Sequence, residues 1–304
     1  MLDSDRGSGP NSGPLAVFPG DEFDPRVYTF YGRLFRTLCR LWFRFTLRGM
    51  ERIPAQQCLF VGNHSGLGIV DVGCLLGAWQ GRFGLTRRVV GMMHVTFVRA
   101  PLAGRLFRGF GAVMAAYDNG KAALAAGHDV MTFPGGDIDG CRPFYMPRAV
   151  RFATRRGYIR LALEAGVPVV PIATIGSHYT YLMAPGGEWI ARNLGFERFT
   201  RNICVPLPLA CVGVVASIAL ALAGVVPWWL AATGFIASLL PTPWRVTSEI
   251  LAPIDIAALT AHIADPEARI EAAHEIVYGT LAEAVRTMSH RTPLPESLRP
   301  PESR

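Results

Sequence analysis

The chain has 304 residues, of which half are hydrophobic and only 17% are charged, and its formal net charge is +7. This length is enough to bury a full core, and the low charged fraction predicts that part of the surface does not face water. The positive charge suits an anionic membrane surface or an anionic substrate, and we expect no nucleic-acid partner because no recognition motif for one is present.

The chain begins with a polar segment and a basic one. Residues 1–26 are rich in Gly, Pro, Ser and Asp and lack the apolar run of a signal peptide, so we expect a disordered tail. In residues 27–52, arginines and bulky apolar side chains fall on opposite arcs of a helical wheel. The pattern predicts a basic amphipathic helix in a membrane interface; a helix packed on the core with solvated arginines is the alternative.

Residues 53–290 alternate between strand and helix patterns. The predicted strands are 57–62, 88–92, 111–115, 129–133, 168–174 and 246–251. The predicted helices are 69–80, 101–109, 119–127, 157–165 and 266–289. This alternation predicts an α/β domain with a mixed, largely parallel sheet flanked by helices, whose working loops follow the carboxyl ends of the strands.

An apolar insert interrupts this domain. Residues 202–244 contain no charged side chain, and a proline followed by two tryptophans divides them into two apolar stretches. Strand-like sequence lies on both sides, so the insert must return to the face from which it starts. We expect a hairpin that dips into the membrane; two buried helices of a soluble core are the alternative. The proline-rich residues 291–304 are predicted to be a tail.

The candidate chemistry lies in two loops. His64 and Asp71 follow the first strand of the domain and have the ingredients of a general base and the group that orients it. Gly135 and Gly136 follow a later strand, and many arginines come after them. Backbone N–H groups and basic side chains beside a base suit phosphates or coenzyme A, although an arginine-rich face that only contacts lipid headgroups is the alternative. The sequence has no GxSxG nucleophile elbow, no phosphate-binding P-loop and no zinc-ligand spacing.

Three segments, in order, resemble blocks of the phospholipid/glycerol acyltransferase family. They are GNHSGLGIVD at 62–71, FPGGDIDGCRPF at 133–144 and RRGYIRLALEAGVPVVPIATIGS at 155–177, and the similarity spans roughly residues 53–290. The resemblance implies an α/β fold and transfer of an acyl group from a thioester to a lipid hydroxyl, with a His/Asp pair and with no metal or cofactor. Acyl-CoA or an acyl-carrier protein would be the co-substrate. Independently of the resemblance, the six scattered cysteines are typical of reduced, buried thiols, so we expect a membrane-associated protein at the cytoplasmic face.

Carried over to this chain, the resemblance makes His64 the base that takes the acceptor's proton and Asp71 the residue that holds its imidazole. The alkoxide would attack the thioester directly, without an acyl-enzyme, and the oxyanion would be stabilised by N–H groups of the glycine loops. The expected substrate-binding residues lie around these loops: Asn63, Ser65, Gly135, Gly136, Asp137 and Arg142.

This chain departs from the family pattern at three points. Six residues separate His64 from Asp71 instead of four. Gly135 stands where the family has a glutamate, for which Asp137 or Asp139 is a candidate substitute. Tyr117 stands where the family has an arginine that is associated with the acceptor's phosphate. The acceptor is therefore open between a lysophospholipid and a neutral glyceride. A lipid or thioester hydrolase on the same scaffold, or a non-catalytic membrane-binding homologue, are the alternative functions.

Overall fold

The computed structural model describes residues 15–195 and 204–291. The predicted tail 291–304 and the first two residues of the insert thus lie outside the described residues, except for Arg291. Seven strands form one sheet: Thr46–Arg48 (β1), Leu59–Gly62 (β2), Val89–Met93 (β3), Ala112–Met114 (β4), Asp129–Thr132 (β5), Val169–Ile175 (β6) and Thr247–Ile250 (β7).

The strand order is β1-β7-β6-β2-β5-β3-β4. β6 and β7 run antiparallel, and the other neighbouring strands run parallel. The prediction of a mixed, largely parallel sheet is therefore confirmed. All four residues of β2 are buried, as expected for a central strand that is covered on both faces.

The described residues also contain twelve α-helical segments. They are Pro25–Trp42 (α1), Ile69–Phe83 (α2), Val95–Val98 (α3), Ala103–Gly109 (α4), Tyr117–Ala125 (α5), Gly136–Gly140 (α6), Gly157–Ala165 (α7), Gly187–Asn193 (α8), Ala210–Leu222 (α9), Trp228–Leu239 (α10), Ile256–Leu259 (α11) and Pro266–Arg291 (α12). Each of the predicted helices has a counterpart among them, displaced by at most a few residues.

The sheet has a separate apolar core on each face. Because side chains alternate along a strand, Leu59 and Val61 of β2 pack with α5, α7 and α12, whereas Phe60 packs with α2 on the other side. Helix α1 packs against α2 from outside. Close approach is possible there because Gly32 of α1 and Gly77 of α2 have no side chain, and a Cβ at either position would press on the opposite helix.

The amphipathic helix is shorter than predicted. It spans Pro25–Trp42 and not 27–52, because the chain turns at Arg44, whose φ is 46°, and then forms β1 at the edge of the sheet. β1 pairs with β7, about 200 residues further along the chain. The helical spacing of the arginines runs on through this strand, which is why the sequence pattern did not indicate its end.

The prediction of a disordered tail over 1–26 is wrong for its described part. The side chain of Phe18 is buried, and Asp21 forms an ion pair with buried Arg88. The carbonyl of Ala16 lies 2.6 Å from Nε2 of His128. Residues 15–24 therefore pack on the domain despite their polar, glycine-rich composition.

The apolar insert forms a hairpin, and its insertion into a membrane stays a prediction. Its helices α9 and α10 pack against each other, joined by a turn at 223–227. Nε1 of Trp42 donates a hydrogen bond to the carbonyl of Pro241 at 2.8 Å, which links the end of the hairpin to the end of α1. Within the described residues, no helix combines the length and the apolarity needed to cross a bilayer.

Candidate active site

The loop after β2 folds into a tight turn because three consecutive residues adopt positive φ. The φ angles are 55° at Gly66, 64° at Leu67 and 71° at Gly68. Glycine adopts this region without strain, whereas Leu67 is held there at an energetic cost, which is a common feature of functional loops. The turn takes up the two extra residues of the unusual spacing and places Asp71 in the first turn of α2.

His64 and Asp71 meet across this turn. Nδ1 of His64 lies 3.3 Å from Oδ2 of Asp71, whose side chain is completely buried. The carboxylate also accepts backbone hydrogen bonds from Ser65 at 3.0 Å and Val72 at 2.8 Å. With Nδ1 donating to Asp71, the neutral imidazole keeps its lone pair on Nε2, which is the atom a general base needs. The structure thus brings the two side chains together; their catalytic role stays a prediction.

Gly68 is required by the position of the imidazole. A Cβ on Gly68 would overlap the His64 ring at Nε2, Cε1 and Cδ2. The imidazole also stacks on Phe133, with ring centroids 4.5 Å apart and an interplanar angle of 23°. Both contacts therefore restrict the orientation of the His64 ring.

A buried ion pair holds the backbone of His64. Oδ2 of Asp139 accepts from the His64 N–H at 2.6 Å, and Nη1 of Arg142 donates to the His64 carbonyl at 2.7 Å. Asp139 and Arg142 are also paired with each other, and both are buried. Burial raises the pKa of Asp139, and Arg142 and the His64 N–H oppose that rise by stabilising the carboxylate.

The burial of Arg142 does not agree with its predicted role in substrate binding. We predicted that it binds substrate, but its side chain is only 1% exposed and its guanidinium is bonded to Asp139, His64 and Met146. Asp139, by contrast, is a site residue that the sequence interpretation mentioned only as a substitute for a missing glutamate. Its position three residues before an arginine in a glycine-rich loop was the available signal.

The side chains of Asn63 and Ser65, which we predicted to bind substrate, are also bonded within the protein. The amide of Asn63 donates to the carbonyl of Thr174 at 2.9 Å and accepts from the Thr174 N–H at 2.8 Å. The hydroxyl of Ser65 is bonded to that of Ser177. Because both side chains are buried and bonded within the protein, they join the β2 loop to the end of β6 instead of binding substrate.

The second glycine loop lies beside His64. Gly136 has a φ of 48°, and its N–H donates to the carbonyl of Phe133 at 2.9 Å, so this N–H is used within the loop. The N–H of Gly68 is likewise bonded to the carbonyl of Ser65. At Gly135 a Cβ would press on the side chain of Asp139 and the carbonyl of Arg151, so a glutamate would not fit this backbone.

A cavity of about 830 Å³ connects these loops to α1 and the hairpin. Its apolar lining includes side chains of α1, α2, β3 and the α3–α4 region, among them Phe35, Leu38, Leu76, Met92, Phe97 and Leu106. Its polar residues include His64, His94, Tyr117, Asp137 and Arg155. Of the predicted substrate-binding residues, Gly136 and Asp137 line this cavity. An elongated apolar molecule with one reactive polar end fits such a lining.

His94 is a cavity residue that the sequence interpretation did not consider. It directly follows β3, which lies beside β5 in the sheet, and a position after a strand at this edge was the signal that could have found it. Nδ1 of His94 accepts from the Thr96 N–H at 3.3 Å. Burial lowers the pKa of His94, whereas the nearby Asp137 raises it.

Comparisons with known proteins give the following matches. The sequence model of the family described as Acyltransferase matches residues 44–175. An uncharacterized protein of Mycobacterium tuberculosis is 29% identical over 188 residues, which are 61% of this chain and 52% of that protein. An uncharacterized protein of Mycobacterium leprae is 27% identical over 187 residues, 61% of this chain and 51% of that protein. The matched part spans about half the length of these curated relatives.

A solved structure, the 1-acyl-sn-glycerophosphate (LPA) acyltransferase PlsC from Thermotoga maritima, has a TM-score of 0.49 and 16% identity, covering 87% of this chain and 79% of that one.

Proposed function

We propose that this chain is a member of the acyltransferase family, whose sequence model matches residues 44–175, and that it is a membrane-associated O-acyltransferase. The donor is an acyl thioester, of coenzyme A or of an acyl-carrier protein, and the acceptor is the hydroxyl of a glycerolipid. The observation that carries the proposal is an imidazole held on Nδ1 by a buried carboxylate while its ring lines a large, mostly apolar cavity.

The reaction requires one proton acceptor and alignment of two substrates. Nε2 of His64 takes the proton of the acceptor hydroxyl as its oxygen attacks the thioester carbonyl. The tetrahedral intermediate collapses, the C–S bond breaks, and the leaving thiolate receives the proton from His64. Asp71 keeps the imidazole in the productive tautomer and stabilises the imidazolium that forms between these steps.

The acyl chain is proposed to lie in the apolar part of the cavity. Side chains of α1 and α2 line that part, and Pro241 at the end of the hairpin also borders it. Burial there would remove a long hydrocarbon chain from contact with water and would place its thioester carbon near His64. The size of the apolar lining relative to the few polar groups supports a lipid substrate.

Exposed apolar side chains around this region support a membrane location. On α1, Phe30, Leu38 and Leu41 are exposed, although α1 packs on α2 through other residues. Leu222 and Trp228, on either side of the hairpin turn, are 84% and 78% exposed. A patch of large apolar residues near basic side chains is typical of a surface that docks on lipid, and the cytoplasmic face carries the anionic lipids that would attract it.

The test is transfer by the purified chain from acyl-CoA to a panel of lysolipids and glycerides, with thiol release and acylated lipid measured together. We expect His64→Ala to lower kcat/KM by roughly 10²–10⁴-fold, and Asp71→Asn to cause a loss of similar order. His262→Ala is the matched control, because that histidine is exposed and outside the cavity.

Two outcomes would contradict the proposal. Release of free fatty acid as the main product, with acceptor present, would identify a hydrolase. Full activity of His64→Ala, or no transfer to any acceptor by a folded chain, would favour a non-catalytic membrane protein.

A further inference from the structure

Most of the arginines that follow the glycine loop are paired with carboxylates of the protein. Four of them form ion pairs with acidic residues: Arg142–Asp139, Arg151–Glu188, Arg155–Asp137 and Arg156–Glu271. Most of the basic cluster that suggested an anionic substrate is thus engaged in salt bridges, and its fifth member, Arg148, does not line the cavity. A guanidinium already bound to a carboxylate offers little net charge to a further anion.

Arg155 is the arginine that reaches the cavity. Among the described residues that line it, no other arginine and no lysine is present. Nη2 of Arg155 donates to Asp137 at 2.7 Å, and Nη1 donates to the carbonyls of Pro134 and Gly135 at 3.2 and 3.0 Å. The guanidinium therefore braces the glycine loop, and Asp137 balances its charge at the cavity wall.

Tyr117 stands at the position where the family has an arginine. Its side chain lines the cavity at the start of α5. Burial first, and then the neighbouring carboxylate of Glu164, raise the pKa of Tyr117 to about 12. Glu164 is itself paired with Lys121 at 3.2 Å, so this position presents a neutral phenol to the cavity where the family has an arginine.

His94 adds a neutral donor to the same wall. Because Nδ1 accepts from Thr96, the proton of the neutral ring is on Nε2. The groups that face the imidazole are Asp137 and Arg155, whose charges oppose each other, and burial lowers its pKa further. A neutral imidazole N–H suits a hydroxyl or carbonyl oxygen better than it suits a dianion.

We infer that the acceptor is an uncharged lipid alcohol, a glyceride with a free hydroxyl and no phosphate. The inference rests on the proposed function and specifies its substrate class. A glyceride would place its hydroxyl at His64 and its remaining polar oxygens against His94, Tyr117 and the Asp137–Arg155 pair. Among the described residues, the one arginine at that wall is already paired with Asp137, so a phosphate there would lose its hydration without gaining a free cation from them, which is unfavourable.

The test compares two acceptors that differ only in the phosphate. Purified full-length chain is assayed with one acyl-CoA and either monoacylglycerol or lysophosphatidic acid with the same acyl chain, in mixed micelles of constant surface charge. We expect kcat/KM for monoacylglycerol to be higher by roughly tenfold or more. Equal or higher kcat/KM for lysophosphatidic acid would overturn the inference and leave the proposed function intact. No transfer to either acceptor, or to any other on the panel, would contradict the proposed function instead.

Two variants test whether the polar wall of the cavity, formed by His94, Tyr117, Asp137 and Arg155, causes the preference for an uncharged acceptor. Asp137→Asn keeps the size of the side chain but frees the charge of Arg155, and Tyr117→Arg places a cation directly at the wall. Each is expected to shift the ratio of kcat/KM several-fold toward the phosphorylated acceptor. Glu271→Gln is the matched control, because it frees Arg156, which does not line the cavity. An unchanged ratio in both folded wall variants, or the same shift in the control, would overturn the inference.

Discussion

At the scale of single residues, the position of the candidate base His64 relative to Asp71 depends more on the backbone conformation between them than on their spacing in the sequence. The spacing of His64 and Asp71 looked unfavourable in the sequence, yet the left-handed turn at 66–68 brings them within 3.3 Å. The pairing could be predicted from the residue types. Arg142 could not be assigned in the same way, since a cation near a base looks the same in sequence whether it contacts substrate or the protein. Only its burial and its bond to the His64 carbonyl distinguish the two.

Asp139 provides the sharpest test at this scale. In Asp139→Asn, one carboxylate oxygen becomes an NH₂ group and the buried Arg142 loses its counter-ion. Loss of one partner of a buried ion pair typically costs about 3–5 kcal/mol of unfolding free energy. The His64 N–H or Arg142 also loses an acceptor, so the imidazole shifts and we expect kcat/KM to fall by roughly 10–100-fold.

The measurements for this variant are urea unfolding and steady-state kinetics under conditions where the chain is folded. Asp118→Asn is the control, because Asp118 is exposed on α5. If Asp139 positions His64, the loss appears in kcat and in the pH profile of the base, while KM for the acyl donor changes little. A variant with wild-type kinetics would show that the bond to the His64 N–H is not needed.

At the scale of elements, hydrophobic periodicity predicted the strands and helices of the domain because each element buries a regular face. It failed at β1, whose three residues pair only with the distant β7. It also failed for residues 15–24, which are held by contacts such as Asp21–Arg88 and not by a local pattern. Neither partner is near in sequence, so no local rule could have indicated these contacts.

The hairpin exposes large apolar side chains that a lipid surface could cover. Trp228 and Trp229 at the start of α10 are both exposed. Replacing both with serine removes a large apolar area from the turn without disturbing the buried core, and we expect binding to anionic lipid vesicles to weaken by about tenfold or more. Flotation or sedimentation with vesicles measures this change. Trp189→Ser is the control, since Trp189 is equally exposed but lies on α8.

The salt dependence of vesicle binding separates the two contributions. Added salt screens the arginines of α1 and should weaken binding of the parent chain, whereas the apolar contribution of the hairpin persists. If the tryptophan variant binds vesicles as tightly as Trp189→Ser, the hairpin is not a docking element.

At the scale of the whole molecule, the site is a product of strand order. The loops that carry His64 and Phe133 are far apart in sequence, but β2 and β5 are neighbours and end at the same edge. The α/β pattern predicted that such loops cluster, and it could not predict which strands are neighbours. The cavity depends on further contacts of α4 with α1 and α3, and on the bond from Trp42 to Pro241 at the end of the hairpin. These contacts do not follow from any repeating pattern.

Buried histidines make the stability of the whole fold sensitive to acid. The side chain of His178 is buried, and its Nε2 is 3.2 Å from the carbonyl of Phe144. Burial first, and then the positive charge of Arg142, lower the pKa of His178 to about 4. The unfolded chain has a histidine pKa near 6.5, so between pH 6.5 and pH 4 it binds a proton that the folded chain does not. Stability therefore falls as the pH drops through this window, and is regained as the pH rises above it.

The expected loss from His178 is about 2 kcal/mol of unfolding free energy between pH 7 and pH 5. In His178→Gln this loss should disappear, because the amide can still donate to the Phe144 carbonyl but does not titrate. Urea unfolding at pH 7, 6 and 5 gives the slope for the parent chain, for this variant and for His262→Gln, whose histidine is exposed. The other buried histidines contribute equally to all three slopes, so the difference between variants isolates His178. An identical slope in His178→Gln and the parent would mean that protonation of His178 does not lower the free energy of unfolding.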